Sequence, residues 1–368
     1  MSLYRWVRPF LFVLDAEQAH RAAFSLAGKV QSISPSLVRP WFAFGDRRLP
    51  QELWGLSFEN PVGLAAGMDK NAELVPFWEA LGFGFVEVGS VTANASQGNA
   101  KPRAFRLPTD RAVINRMGLN NHGAVSVAAH LAEQRSGYRV PLGINIAKTH
   151  DPDILGSKGV QDFVTSFRAL APHADYVALN VSCPNTTEGK TFEDPEALNE
   201  LLEAVFSARS EMELEVPVLV KLSPPVSKDI QAGGPLDEIL TAAQQHDIAG
   251  WIATNTASNR DGLQASSETL DSIGRGGLSG EPICARSTAL IRYLYQFTEG
   301  RLPIVGVGGI HSPESAYEKI RAGASLLQVY TGLIYEGPGL VKRINRELSW
   351  FLERDGFANV QDAVGVDA

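Results

Sequence analysis

The sequence predicts an α/β protein, a (β/α)8 barrel with an N-terminal two-helix extension, on three observations. Eight short β-rich runs recur after residue 55, separated by amphipathic or loop segments. Most of these runs are continuously apolar, as parallel strands covered on both faces require. A residue that does not belong in a barrel core, polar or glycine, stands at or just beyond the end of each run. A barrel of this kind takes about 250 residues, which the chain of 368 accommodates with its extension. The competing architecture is an open doubly wound sheet.

The composition bounds the function classes. Hydrophobic content of 44% with 34 Gly and 21 Pro is that of a globular protein rich in tight turns. A net charge of −8 argues against a general nucleic-acid binder, which needs a basic surface. Two cysteines, Cys183 and Cys284, make no disulfide framework and suggest a reducing compartment.

The first element is the extension, residues 1–45, ahead of a catalytic domain at 46–368. Asp15 in "DAEQ" is a good N-cap, with Gln18 placed to reach back, so a helix is expected from Ala16 to about Val30. Residues 1–48 hold seven Lys/Arg against three acids, a net +4 that leaves −12 for the remainder. Trp6, Phe10, Leu11, Phe12, Trp41 and Phe42 lie in the same stretch. Its run "PFLFVL" is far shorter than the roughly 20 residues that span a bilayer. No small-residue cleavage site follows, so a secretory signal is not expected. Two readings stand: a cap packed on the barrel, or a basic, aromatic hairpin lying in a membrane surface.

The eight runs follow in order, each with its terminal chemistry. "PVGLAA" (61–66) leads to Asp69 and Lys70, "FVEVGSV" (85–91) contains Ser90, and "LGINIA" (142–147) contains Asn145. "YVALNVS" (176–182) carries Asn180, "VLVKLS" (218–223) Lys221, and "WIATNT" (251–256) Thr254 and Asn255. "PIVGVGGI" (303–310) ends at Gly308 and Gly309, and "LLQVYTG" (326–332) at Tyr330 and Thr331. Amphipathic stretches such as "DPEALNELLEAVFSAR" (194–209) and "SPESAYEKIRAGA" (312–324) supply intervening helices. In a barrel these strand ends converge on one face, where active sites are built.

The residue types narrow the chemistry. The glycines of "GVGGI" and the "VYTG" turn offer backbone N–H groups to an anion, and strands 7 and 8 are where barrels commonly hold phosphate. Neither a P-loop nor a GxGxxG dinucleotide fingerprint is present. Lys221 should point into the barrel mouth, either as a Schiff-base nucleophile or as a fixed charge beside an electron-accepting ring. Asn115, Asn180, Asn185 and Asn255 suit a planar substrate rich in amide and carbonyl edges. No His/Asp/Glu/Cys cluster has metal-ligand spacing, and no metal is expected.

With these segments assembled, the chain resembles the dihydroorotate dehydrogenases, FMN-dependent barrel enzymes of pyrimidine biosynthesis. The resemblance rests on "AAGMDKN" (65–71), "VEVGSVT" (86–92), "INRMGLNNHG" (114–123), "GINI" (143–146), "NVSCPNT" (180–186), "VKLSPP" (220–225), "ATNT" (253–256), "GGLSG" (276–280), "GVGGI" and "QVYTG". "LDAEQAH" (14–20) further resembles the membrane-associated, quinone-reducing class. The resemblance implies FMN at Ala66, Gly67, Lys70, Ser90, Asn145, Asn180, Lys221, Thr254, Gly280, Gly309, Tyr330 and Thr331. It implies substrate at Lys70, Asn115, Arg116, Met117, Gly118, Leu119, Asn180, Asn185, Asn255 and Thr256. His20, Arg106 and Tyr330 match positions near that family's quinone site. The implied reaction is removal of the C5 proton of dihydroorotate by a loop base, with the C6 hydride passing to the flavin and on to a quinone.

The base position, just before Pro184, is Cys183, where the quinone class typically has Ser and the soluble class Cys. A thiol, with a reference pKa of about 8.5, is the easier base, because a serine needs a neighbouring group to make it basic. Thr186 is placed to relay the proton, and Lys221 completes the catalytic set. A one-residue exchange is a smaller change than gaining an N-terminal extension, so quinone is the expected acceptor. The expected setting is a monomer held peripherally at the cytoplasmic face of the cell membrane. Rival readings are the same oxidation with fumarate or NAD as soluble acceptor, a colourless Lys221 lyase, and a non-catalytic flavin binder.

Overall fold

Eight parallel strands close on themselves, as their continuous apolar runs predict. They are β1 (Val62–Leu64), β2 (Phe85–Val91), β3 (Leu142–Ile146), β4 (Tyr176–Asn180), β5 (Val218–Leu222), β6 (Gly250–Ala253), β7 (Ile304–Val307) and β8 (Leu326–Val329). Each pairs with the next, and β8 pairs back onto β1, so the barrel has no free edge. The computed structural model describes residues 4–182, 192–225 and 230–368. Cys183, Asn185 and Thr186 lie outside the described residues.

Alternation along each strand sorts side chains between two environments. Outward residues such as Val86, Val88, Leu142 and Ile144 pack against the surrounding helices in the larger core. Inward residues form a separate cluster of Phe58, Phe85, Tyr176, Leu219, Ile252, Val305 and Leu326. Room for that layer comes from a missing side chain: a Cβ on Gly143 would fall 2.0 Å from the Tyr176 ring. A hairpin, Gln51–Leu53 with Leu56–Phe58, plugs this end. Its Trp54 packs on Tyr176 with ring centroids 5.8 Å apart and donates to the Ala249 carbonyl at 2.8 Å. The floor is therefore apolar and closed, and chemistry is confined to the opposite, C-terminal end of the strands.

The extension forms two longer helices, α1 (Tyr4–Val13) and α2 (Ala16–Ile33), followed by short helical turns at Pro35–Leu37 and Arg39–Phe42. The Asp15 carboxylate caps α2 by accepting from the Glu17 and Gln18 amides. Both helices are tied to the barrel. Tyr4 donates to the Ile334 carbonyl at 2.6 Å, Arg8 to Tyr335 at 2.9 Å, and Gln31 to Glu73 at 3.0 Å. No helix of the described residues is long and apolar enough to cross a membrane.

A second sheet stands over the barrel mouth. Strands Ala104–Leu107, Ala112–Asn115 and Gly277–Gly280 pair antiparallel around a small core of Leu107, Ile114, Leu278 and Ile283. It brings Asn115, Ser279 and Gly280 to the rim.

Candidate active site

Three layers stack inside the barrel above its apolar floor. The first is a buried polar network around Glu87, which is fully buried in the middle of β2. Its Oε1 accepts from Lys221 Nζ at 3.2 Å and Asn145 Nδ2 at 3.1 Å. Its Oε2 accepts from Gln328 Nε2 at 2.7 Å and the Tyr176 hydroxyl at 3.1 Å. Four strands are thereby clamped to one carboxylate, and the Lys221 ammonium is fixed in place. Burial beside Glu87 drives the Tyr176 phenol well above its ordinary range, so it stays a donor.

The second layer is a chain of amides. Ser90 donates to Asn145 Oδ1, and Asn180 Nδ2 donates to Ser90 Oγ at 2.9 Å. Asn255 Nδ2 donates to Asn180 Oδ1 at 3.1 Å and to Ser182 Oγ at 3.0 Å. Strict alternation would aim Ser90 outward. A register shift against β3 between Gly89 and Val91 turns the strand and brings the hydroxyl in.

The third layer is a cavity that opens at the barrel mouth. Its wall includes Ala66, Gly67, Lys70, Ser90, Asn115 and Met117 to Leu119. The far side is formed by Asn180, Lys221, Thr254 to Thr256, Gly280, Gly308, Gly309, Tyr330 and Thr331. Burial pushes the Tyr330 phenol up to about 12, keeping it neutral. Gln328 Oε1 and Thr256 Oγ1 also face this wall, buried and without a hydrogen-bond partner among the described residues. Buried polar groups of this kind are ordinarily satisfied by a bound molecule or by ordered water. The set fits a flat heteroaromatic group with N–H edges and an anionic tail. Carbonyl, amide and ammonium groups line one end, and bare glycine backbone lines the other.

Several positions singled out in the sequence lie elsewhere. Asn145 does not reach the cavity and supports Ser90 from below. Arg116 is turned outward, donating to the carbonyls of Ile273, Arg275 and Pro102 and lying over the Phe105 ring. Asp69 is fully buried and accepts from the Glu73 and Leu74 amides and Trp78 Nε1, which makes it a turn fastener. Glu87, Gln328 and Tyr176 were not singled out in the sequence as site residues. The available signal is an acid between two valines inside "FVEVGSV".

His20, on α2, and Arg106, on the strand Ala104–Leu107, stand outside the cavity lining, where the extension meets the rest of the chain. Arg106 donates to the Leu11 and Leu14 carbonyls and covers the Phe12 ring at 4.6 Å, holding the turn between α1 and α2. His20 packs on Phe24 and feels the charge of Lys70 on the cavity wall. Burial, reinforced by Lys70, lowers its pKa to about 4, so it is neutral at neutral pH. Its unfolded value is near 6.5, so its contribution to stability is complete above that pH and is lost as pH falls towards 4. A His20→Phe variant should therefore lose less melting temperature than the parent between pH 7 and pH 5; equal losses would refute this assignment.

Arg103 joins the extension to the cavity. Almost fully buried, it pairs with Glu17 of α2 through Nε at 3.2 Å and Nη2 at 3.0 Å. Its Nη1 donates to the Gln97 carbonyl at 2.6 Å and the Asn99 carbonyl at 2.9 Å, and Asn99 in turn holds the Arg116 carbonyl at 2.8 Å. The loop carrying Met117 to Leu119 is thus referenced to α2.

The dihydroorotate dehydrogenase family model matches residues 48–352, most of the chain and all of the barrel. The chain belongs to the dihydroorotate dehydrogenase family. Among curated relatives, the dihydroorotate dehydrogenase (quinone) of Gloeobacter violaceus is 46% identical over 99% of both chains. The protein of the same name from Deinococcus deserti is 45% identical, again over 99% of both. A crystal structure of DHODH from Eimeria tenella in complex with ferulenol superposes with a TM-score of 0.84 at 34% identity, covering 96% of each chain. The dihydroorotate dehydrogenase match to curated relatives extends through the N-terminal helices as well as the barrel.

Proposed function

We propose that the chain oxidises (S)-dihydroorotate to orotate in pyrimidine biosynthesis, with FMN bound in the cavity and a quinone as final acceptor. The observation that carries this reading is the convergence of Lys70, Asn115, Asn180, Lys221, Asn255 and Thr256 on one cavity above the Glu87 network. The end-to-end likeness to relatives named for quinone favours that acceptor over fumarate or NAD.

In this reading the side chains divide the work. The amides of Asn115, Asn180, Asn185 and Asn255, with Lys70 and Thr256, hold the substrate's carboxylate, carbonyl and N–H edges. Arg116 contributes through its backbone, alongside Met117, Gly118 and Leu119. Cys183 removes the C5 proton as base, and Thr186 relays it outward. FMN, when bound, supplies a two-electron acceptor for the C6 hydride. Lys221, held by Glu87, offers fixed positive charge where that acceptor gains electron density. Gly67, Ser90, Thr254, Gly280, Gly309, Tyr330 and Thr331 line the cofactor's berth, with Ala66 beside them and Asn145 behind Ser90. One proton and one hydride leave the substrate, and the quinone takes up the two electrons.

The extension, residues 1–45, serves in this reading as the quinone entrance and the membrane contact. Trp6, Phe10, Val13, Ile33 and Trp41 are 71–86% exposed, a concentration of apolar surface beside basic residues. His20, Arg106 and Tyr330 would line the quinone's path. In this reading the chain is a peripheral monomer on the cytoplasmic face of the cell membrane.

Anaerobic mixing of the purified, yellow protein with dihydroorotate should bleach the flavin. Reoxidation is then compared with a ubiquinone analogue, fumarate and NAD. Rapid recovery with the quinone alone is expected. Recovery with fumarate would reassign the acceptor, and failure to bleach would sink the substrate assignment.

A further inference from the structure

Behind the glycine end of the cavity lies a buried cation with no ion-pair partner among the described residues. Lys319, on the helix Pro313–Arg321, is fully buried. Its Nζ donates to Ser287 Oγ at 3.0 Å, Thr288 Oγ1 at 3.0 Å and the Cys284 carbonyl at 3.2 Å. All three acceptors are neutral, and no carboxylate among the described residues forms an ion pair with it. An ammonium buried without an anion is costly, a cost that an apolar side chain of similar length would avoid. Burial accordingly lowers the Lys319 pKa to about 8.

The same acceptors adjoin the cavity wall. Gly309 runs so close to Cys284 that a Cβ there would fall 2.4 Å from the Cys284 Cα, and one on Gly308 would meet Ser287 Cβ at 3.1 Å. Gly308 and Gly309 themselves face the cavity. Cys284 and Ser287 thus stand between the Lys319 ammonium and the two glycines of the cavity wall. Ser287 Oγ passes the connection on, donating to the Val307 carbonyl at 2.7 Å just ahead of the two glycines. The wall offers an anion backbone N–H groups, and the positive charge lies behind them.

We propose that Lys319 is the counter-charge for the phosphate of the bound flavin, and that it makes the chain select a phosphorylated flavin over an unphosphorylated one. This rests on the flavin reading above. Lys319 is a positioning residue, since it acts through Cys284 and Ser287 and touches no ligand atom.

The test compares FMN with riboflavin on the full chain, by flavin fluorescence, for the parent and Lys319→Met. The parent should prefer FMN. In Lys319→Met the FMN Kd should rise roughly tenfold or more while that for riboflavin stays within about twofold, as loss of a distant charge predicts. Lys319→Gln, which retains hydrogen bonding without charge, should behave alike and serves if the Met variant does not fold. Equal weakening of both flavins would reduce Lys319 to a packing role, and an unchanged preference would also overturn the proposal. If the parent binds neither flavin, the flavin reading itself has failed.

Discussion

Glu87→Ala should yield a protein about 3–5 kcal/mol less stable than the parent and purified without its yellow colour. The reason is the number of groups that depend on this one carboxylate. Lys221, Asn145, Tyr176 and Gln328 all donate to it in a part of the barrel closed to water. Removing it strands the Lys221 ammonium, whose side chain is 7% exposed, and leaves three neutral donors without an acceptor. Breaking a buried pair from one side is far more damaging than never having built it. Glu87→Gln keeps the shape but cannot accept from four donors at once, so it should fall between the parent and Ala. Thermal melts and flavin absorbance per mole of protein measure both effects. A Glu87→Ala protein as stable and as yellow as the parent would remove Glu87 from the design of the site.

Cys183→Ala should slow flavin reduction by dihydroorotate by roughly 10²- to 10⁴-fold, the usual worth of a positioned general base. Cys183 lies outside the described residues, but its covalent neighbour does not. Ser182 is buried, and Asn255 donates to both its carbonyl, at 3.2 Å, and its hydroxyl, at 3.0 Å. The chain therefore leaves the amide cluster at the residue that precedes the thiol. Cys183→Ser gives the sharper measurement. A thiol ionises near pH 8.5 and a serine hydroxyl does not ionise in the accessible range, so the parent's reduction rate should rise with pH through the thiol's ionisation. In the Ser variant that rise should be absent over the same range. Stopped-flow bleaching from pH 6 to pH 10 records it, and superimposable profiles would exclude Cys183 as the base.

The eight strands were legible because each is sheathed by helices outside and packed inside, which selects uninterrupted apolar runs. The same sheathing hid the polar layer. In "FVEVGSV" the Glu87 carboxylate stands among residues that are all buried, so no surface alternation flags it. Gln328 and Tyr176 read as ordinary strand residues for the same reason. Strand-end position alone could not separate Lys70, on the cavity wall, from Asp69, which is spent on the Glu73 and Leu74 amides. Nor could it tell that Arg116 points away, since a backbone segment and its side chain need not serve the same site. The capped α2 was visible at its start because capping is local, whereas its attachment to Arg103 spans 86 positions in sequence.

That attachment bears on how such a protein can be shortened or can diversify. A chain cut back to remove α1 and α2, whether by a protease or by gene loss, would take away the Glu17 carboxylate that the guanidinium of Arg103 pairs with. Its remaining contacts are the carbonyls that shape the loop over the cavity, so the damage would surface as poor affinity for the molecule being oxidised. The helices are therefore not a detachable module.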